Sequence, residues 1–129
     1  MKKLILFASI LLIAVACKKT EKEPIGPTDI RINNITTVNM NNVTVNTFDS
    51  TFNFGLVKAD SISAYHRFDR AYPKANISAI INGQKYKTDT TNFAYQQYLG
   101  QMKVTYKIYI ISDALKSLGM SWIPESPLK

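Results

Sequence analysis

The 129-residue chain has one cysteine, one histidine and one tryptophan. A lone cysteine excludes an intrachain disulfide, and at this length a hydrophobic core can form without one. One histidine excludes the usual zinc centres, which need three or four His, Cys or carboxylate ligands in compact spacing. The aspartates at 29, 49, 60, 69, 89 and 113 are scattered, whereas a calcium loop gathers its carboxylates. No G-x-S-x-G elbow exists to place a nucleophilic serine, so His66 reads as a partly buried strand residue beside Tyr65 and Arg67. No metal or cofactor is expected, and no catalytic constellation is evident. A facing carboxylate pair for glycoside hydrolysis stays open, which leaves a hydrolase as the third reading of function. The chain also lacks an internal repeat and a long apolar run. Leu4 to Ala16 is apolar apart from Ser9 but only 13 residues long. As a helix it would reach about 20 Å, short of a hydrocarbon core of about 30 Å.

Acidic residues are few: 9 against 16 Lys and Arg over the chain, and 9 against 14 beyond Cys17. That excess suits weak attraction to anionic surfaces or glycans. It lacks the concentrated basic stripe of a nucleic-acid binder, so no nucleic-acid partner is expected.

What the first 17 residues do contain is a secretory signal. Lys2 and Lys3 form a short positive region, the apolar run follows, and small residues lead to Cys17. The stretch Ala14-Val15-Ala16-Cys17 resembles the lipobox of bacterial lipoproteins, with alanine at the position where leucine is usual. The resemblance implies cleavage after Ala16 and lipid on the sulfur and amino group of Cys17. Residues 1–16 are then a signal peptide, and the mature protein has neither a free thiol nor a disulfide. One acyl chain binds a membrane only marginally, whereas two or more hold it firmly.

The next segment, KKTEKEPIGPT, replaces the apolar run with charge, Thr, Gly and two prolines. It cannot bury enough surface to order itself, so residues 17–28 read as a lipidated flexible tether. Such a leader with a Lys and Glu tract is similar to those of Bacteroidota lipoproteins. This implies an outer-membrane location, with either leaflet open.

From Asp29 to Lys129 the pattern has period two, the signature of strands. Phe52, Phe54 and Leu56 share a face, as do Ile62, Ala64, His66 and Phe68, and Val104, Tyr106, Ile108 and Ile110. Ile30 to Val38 and Val43 to Phe48 are rich in Asn and Thr and suit edge strands. In NISAIINGQKYKT, Asn82-Gly83 supplies the positive φ angles of a type I′ turn. That turn pairs Ile81 with Gln84, Ala79 with Tyr86 and Ile77 with Thr88. A second hairpin is expected from NFAYQQY through Gly100 into MKVTYKIYII. Ser112 is placed to cap a helical turn over Asp113 to Leu118, ended by Gly119 in the left-handed region.

About seven short strands over a hundred residues predict an all-β domain, a small antiparallel β-sandwich. DSISAYHRF and LGQMKVTYKIYI resemble strand C and the approach to strand F of an immunoglobulin-like or fibronectin type III domain. The resemblance implies that Tyr106 makes the tyrosine-corner bond to upstream backbone. The early core tryptophan of fibronectin type III domains is missing, and Trp122 lies near the C-terminus instead. An up-and-down β-barrel of the lipocalin type is the alternative.

Two constellations suit binding. Phe93, Tyr95 and Tyr98, then Tyr106 and Tyr109, with Trp122 downstream, can stack on sugar rings, anchor a protein partner, or serve as core and cross-strand pairs. Tyr95, Tyr98, Tyr109 and Trp122 are the candidate binding residues, and the second hairpin would put Tyr95 and Tyr109 on one outer face. Lys58, Arg67, Arg70, Lys74, Lys85 and Lys87 outnumber the nearby Asp60 and Asp69, as a binding or simply a solvated face would. Asp49-Ser50-Thr51, Asp60-Ser61-Ile62 and Asp89-Thr90-Thr91 resemble O-glycosylation acceptors of exported Bacteroidota proteins, which implies Ser50, Ser61 and Thr90 as modified residues. The N-x-S/T triplets at Asn34, Asn42 and Asn76 matter only in a host that glycosylates asparagine. The function expected is that of a lipid-anchored envelope module that binds a glycan or a protein partner at the outer membrane. A structural or assembly accessory subunit is the alternative.

Overall fold

A computed structural model describes residues 26–127, with side chains as far as Glu125. The signal peptide, Cys17 and most of the tether lie outside the described residues. Nine strands follow one another: β1 (Thr28–Asn34), β2 (Asn41–Asn46), β3 (Thr51–Asn53), β4 (Ser61–Ile62), β5 (His66–Phe68), β6 (Asn76–Ile81), β7 (Gln84–Lys87), β8 (Met102–Ser112) and β9 (Ser117–Pro127). A single 3-10 turn, Phe93–Tyr95, interrupts them. All strands belong to one sheet in the order β3-β2-β6-β7-β9-β8-β1-β4, with β5 also paired to β1. The domain is all-β, a mixed sheet curled into a half-barrel around one core.

The inner face follows from alternation. Ile30 and Ile32 of β1, Val43 and Val45 of β2, Ile77, Ala79 and Ile81 of β6, and Val104, Tyr106 and Ile108 of β8 form one buried cluster. β1, β6 and the inner part of β2 bury every second residue, so a slip of one position would expose their apolar sets. At the ends of the sheet the rings of Phe52 (β3) and His66 (β5) stack 3.5 Å apart, with Phe54 and Phe68 edge-on to both. The two edges thus face each other through side chains.

The Asn82-Gly83 hairpin forms as read. Asn82 has φ 52° and Gly83 φ 77°, and Ile81 pairs with Gln84 and Ala79 with Tyr86. Thr88 continues the ladder with its backbone N–H to the Ile77 carbonyl at 2.9 Å, and its hydroxyl accepts from the Ile77 N–H at 2.9 Å. Tyr106 is buried, and its hydroxyl donates to the Tyr72 carbonyl at 2.5 Å. The acceptor lies 34 residues upstream, further back than a tyrosine corner reaches.

Several expectations are corrected. The sheet is not antiparallel throughout: β1 runs parallel to β8 over seven paired residues, and Lys87 of β7 pairs in parallel with Ser117 of β9. Nor are β1 and β2 edge strands, since β1 lies between β8 and β4/β5, and β2 between β3 and β6. The buried polar residues of β1 are satisfied internally. The buried Asn34 amide donates to the carbonyls of Val38 (2.8 Å), Val57 (3.1 Å) and Lys58 (3.2 Å), and the Thr28 hydroxyl donates to the Gly100 carbonyl at 2.6 Å. Asn34 is therefore core, although it sits in a glycosylation triplet.

The hairpin expected between NFAYQQY and β8 is absent, because residues 88–101 form a loop around the 3-10 turn. The partner of β8 is β9, in antiparallel register from Met102 with Pro127 to Ser112 with Ser117. The helical turn expected after Ser112 is the tight connection of that hairpin. The Ser112 hydroxyl does accept from the Leu115 N–H at 3.1 Å, but Lys116 at φ 54° reverses the chain. Gly119 sits in β9 under the ring of Tyr109, where an added Cβ would lie 2.2 Å from that ring.

Two alternations also break. Gly55 at φ 74° turns Leu56 outward and Val57 into the core. SISAYHRF is split by a bulge: Asn33 pairs with Ile62 and Ile30 with His66, so β1 uses one residue fewer, and Ile62 is exposed.

Candidate functional site

The outer faces of β2, β6 and β7 carry polar side chains because their inner faces are committed to the core. Register places Thr44 beside Ser78 and Ser78 beside Lys87, with Asn46 beside Asn76 in the next row. The Asn76 carboxamide oxygen accepts from the Thr91 N–H at 2.7 Å, which ties the 88–101 loop to β6. Asn92 then caps the 3-10 turn, accepting from the Ala94 N–H at 3.1 Å.

That turn presents Phe93 to a group of rings drawn from distant parts of the chain. Phe93 lies 5.7 Å from Phe48 and 4.9 Å from Tyr72, and Tyr72 lies 5.0 Å from Tyr98. The Arg70 guanidinium sits 5.0 Å from the centre of the Tyr98 ring and donates to its hydroxyl at 3.0 Å. Burial, and then the hydrogen bond with Tyr98, pushes the Tyr72 phenol up to about 12. It therefore stays neutral over the whole physiological range. Phe48 occupies the turn between β2 and β3 at φ 87°, a region a bulky side chain rarely adopts, and 64% of its surface is exposed. Its N–H donates to the Asn46 side-chain oxygen at 3.3 Å, and the Thr47 N–H to the Ser50 carbonyl at 2.9 Å closes the turn. A strained backbone that displays an apolar ring to solvent is a feature of binding sites.

Three hollows run together along this surface. One of about 280 Å3 lies over Thr44, Asn46, Asn76, Ser78, Lys85 and Lys87. The next, about 520 Å3, shares Asn46, Asn76 and Thr90 with it and continues over Asn92, Phe48 and Phe93. The third, about 340 Å3, shares Phe48, Phe93 and Ala94 and ends at Tyr72, Gln96 and Tyr98. They make one open groove, polar at the lysine end and aromatic at the other. Amide, hydroxyl and ammonium groups there can donate and accept along a polar ligand, while the rings offer flat apolar faces.

The four candidate aromatics do not meet. Tyr98 lines the aromatic end. Tyr95 is 89% exposed on the 3-10 turn and lines none of the three hollows. Tyr109 covers Gly119 beside a separate hollow of about 170 Å3, and Trp122 stands opposite Tyr106 on β9. The outer face shared by Tyr95 and Tyr109 does not exist, because the hairpin that would have made it does not. Of the wider aromatic group, Phe93 belongs to the groove and Tyr106 to the core. Phe48, Tyr72, Asn46 and Gln96 were not singled out in the sequence, and Asn76 only as part of an N-x-S/T triplet; a phenylalanine beside Asp49 in a turn is the one local hint.

The basic group separates too. Arg67 pairs with Asp29 at 2.8 Å and Arg70 stacks on Tyr98, while Lys85 and Lys87 line the groove. Thr90 is exposed on the groove wall, Ser50 is half-buried in the β2–β3 turn, and the Ser61 hydroxyl donates to the Ala59 carbonyl at 3.2 Å. His66 is packed among phenylalanine rings. Among the described residues no three His, Cys, Asp or Glu side chains gather as a metal site would require, and no helix is long and apolar enough to cross a membrane.

Compared with known protein families the chain matches none, and no curated protein matches it. Among solved structures it is similar to an NMR structure of a protein from Eubacterium rectale, with 13% sequence identity, 85% of this chain and 97% of that chain covered, and a TM-score of 0.46.

Proposed function

We propose that this protein is a lipid-anchored module of the bacterial cell envelope that binds a glycan through the groove between the β2–β6–β7 face and the 88–101 loop. The observation that carries the reading is the aromatic end, where Phe48, Phe93, Tyr72 and Tyr98 adjoin a wall of Asn, Thr and Gln side chains. Sugars present both apolar ring faces and hydroxyl groups, and this surface answers both. Lipid on Cys17 and a tether that ends before Thr28, the buried first residue of β1 and not part of the tether as expected, hold the domain at the outer membrane, where glycans are abundant. Its curled sheet is read as a sandwich of immunoglobulin-like kind. That reading is supported by the absence of a backbone ladder between β3 and β5, with a lipocalin-type barrel as the alternative.

A second reading, an assembly accessory that binds a protein, draws on the exposed Ile111 and Leu115 at the tip of the β8–β9 hairpin. A glycan array probed with the full-length protein in detergent separates the two. The glycan reading expects binding that falls at least tenfold in Phe93→Ala and is unchanged in Leu115→Ser. A silent array, together with co-purification of an envelope protein that Leu115→Ser abolishes, would overturn it.

A further inference from the structure

The groove differs in charge along its length. Its polar end is lined by Lys85 and Lys87 and by no carboxylate. Both lysines are exposed on the outer face of β7, two positions apart and hence about 7 Å along the strand. Among the described residues neither enters an ion pair; the salt bridges there join Arg31 to Glu125 and Arg67 to Asp29. These ammonium groups are therefore uncommitted cations beside hydrogen-bonding Thr44, Asn46, Asn76 and Ser78. The aromatic end is different. No lysine or arginine lines it; the Arg70 guanidinium lies over the Tyr98 ring and donates to its hydroxyl, and Asp49 disfavours ionisation of the Tyr72 phenol. Two lysines line one end and no cation lines the other, so an anionic group is favoured at the first.

The groove is also open along its length, because consecutive hollows share their wall residues. Such a channel suits an internal run of a linear chain better than a compact terminal group.

Resting on the glycan reading above, we propose that the ligand is a linear acidic polysaccharide. A carboxylate- or sulfate-bearing residue lies between Lys85 and Lys87, and an uncharged face of the chain lies on Phe48 and Phe93. Charge-assisted hydrogen bonds at the lysines supply the preference for the acid, and stacking supplies affinity that is indifferent to charge. Because the lysines are exposed, the acid preference is screened by salt while the stacking is not.

The test uses full-length protein in detergent micelles, titrated with hexagalacturonate and with its methyl ester, and an array carrying matched acidic and neutral saccharides. The proposal expects the acid to bind about tenfold more tightly than the ester at low ionic strength, a preference that shrinks at 1 M salt. The double variant Lys85→Gln/Lys87→Gln is expected to bind both forms alike. Phe93→Ala is expected to weaken both forms. Equal binding of acid and ester, or a preference that survives the double variant, overturns the proposal. An array on which only neutral saccharides bind overturns the acid preference and leaves the groove reading standing. An array silent throughout overturns both.

Discussion

Glu125 receives three polar partners on the outer face of β8 and β9: the Thr105 hydroxyl at 2.5 Å, the Tyr65 hydroxyl, and Arg31 at 2.5 Å. Hydrogen bonds from Thr105 and Tyr65, then the Arg31 guanidinium, hold its carboxyl down to about 2, against an ordinary 4.5. The unfolded chain thus binds more protons than the folded one between these values. Glu125 accordingly adds stability above about pH 4.5 that is lost as the pH falls toward 2. Thermal midpoints of the protein and of Glu125→Gln should lie well apart at pH 6 and draw together as the pH falls through about 2; parallel curves would show that the carboxylate contributes nothing. At this scale the groove was only partly legible. Phe93 and Tyr98 belong to an aromatic-rich stretch that stands out in the chain. Phe48 and Tyr72 are isolated in sequence and join the site only through long-range folding, so no local pattern identifies them.

Among the elements, legibility follows the distance in sequence over which a pairing is decided. The β6–β7 hairpin is specified by two adjacent residues, and both adopt positive φ. A Cβ at Gly83 would meet nothing within 4 Å, so Gly83→Ala carries a conformational cost alone, about 1 kcal/mol in unfolding free energy, read as a lower urea midpoint. A neutral substitution would contradict the assignment of the turn. The connection from β8 to β9 reads as a helix start because Ser112-Asp113-Ala114-Leu115 carries capping and helical preference over one turn. One turn of helix is weak in isolation, whereas β8 and β9 pair along nearly their whole length, and the tertiary pairing prevails. The parallel ladder of β1 and β8 joins residues 74 apart and leaves no turn signature at all, so the central place of β1 was hidden. Nothing local reveals that carbonyls of the 38–58 segment wait for Asn34 and that of Gly100 for Thr28.

The described residues form one sheet whose edges meet without a backbone ladder, held at the seam by the stack of Phe52 on His66. Truncating that ring should therefore loosen both edges together. Phe52→Ala is expected to cost about 2 kcal/mol, given the half-buried ring, and to raise amide hydrogen exchange in β3 and β5 alike while β6 and β8 stay protected. Faster exchange in β3 alone would show that the seam does not couple the edges. This curvature also turns the polar faces of β2, β6 and β7 outward beside the 88–101 loop, and so makes the groove. The most direct test of the groove as a glycan site is amide chemical-shift mapping of the full-length protein in detergent with an array-positive oligosaccharide. Shifts are predicted to cluster at Asn46, Phe48, Asn76, Phe93 and Gln96 and to leave Arg31, Tyr65 and Glu125 unmoved. Shifts confined to the β8–β9 hairpin tip, or to the Arg31 and Glu125 face, would contradict the account.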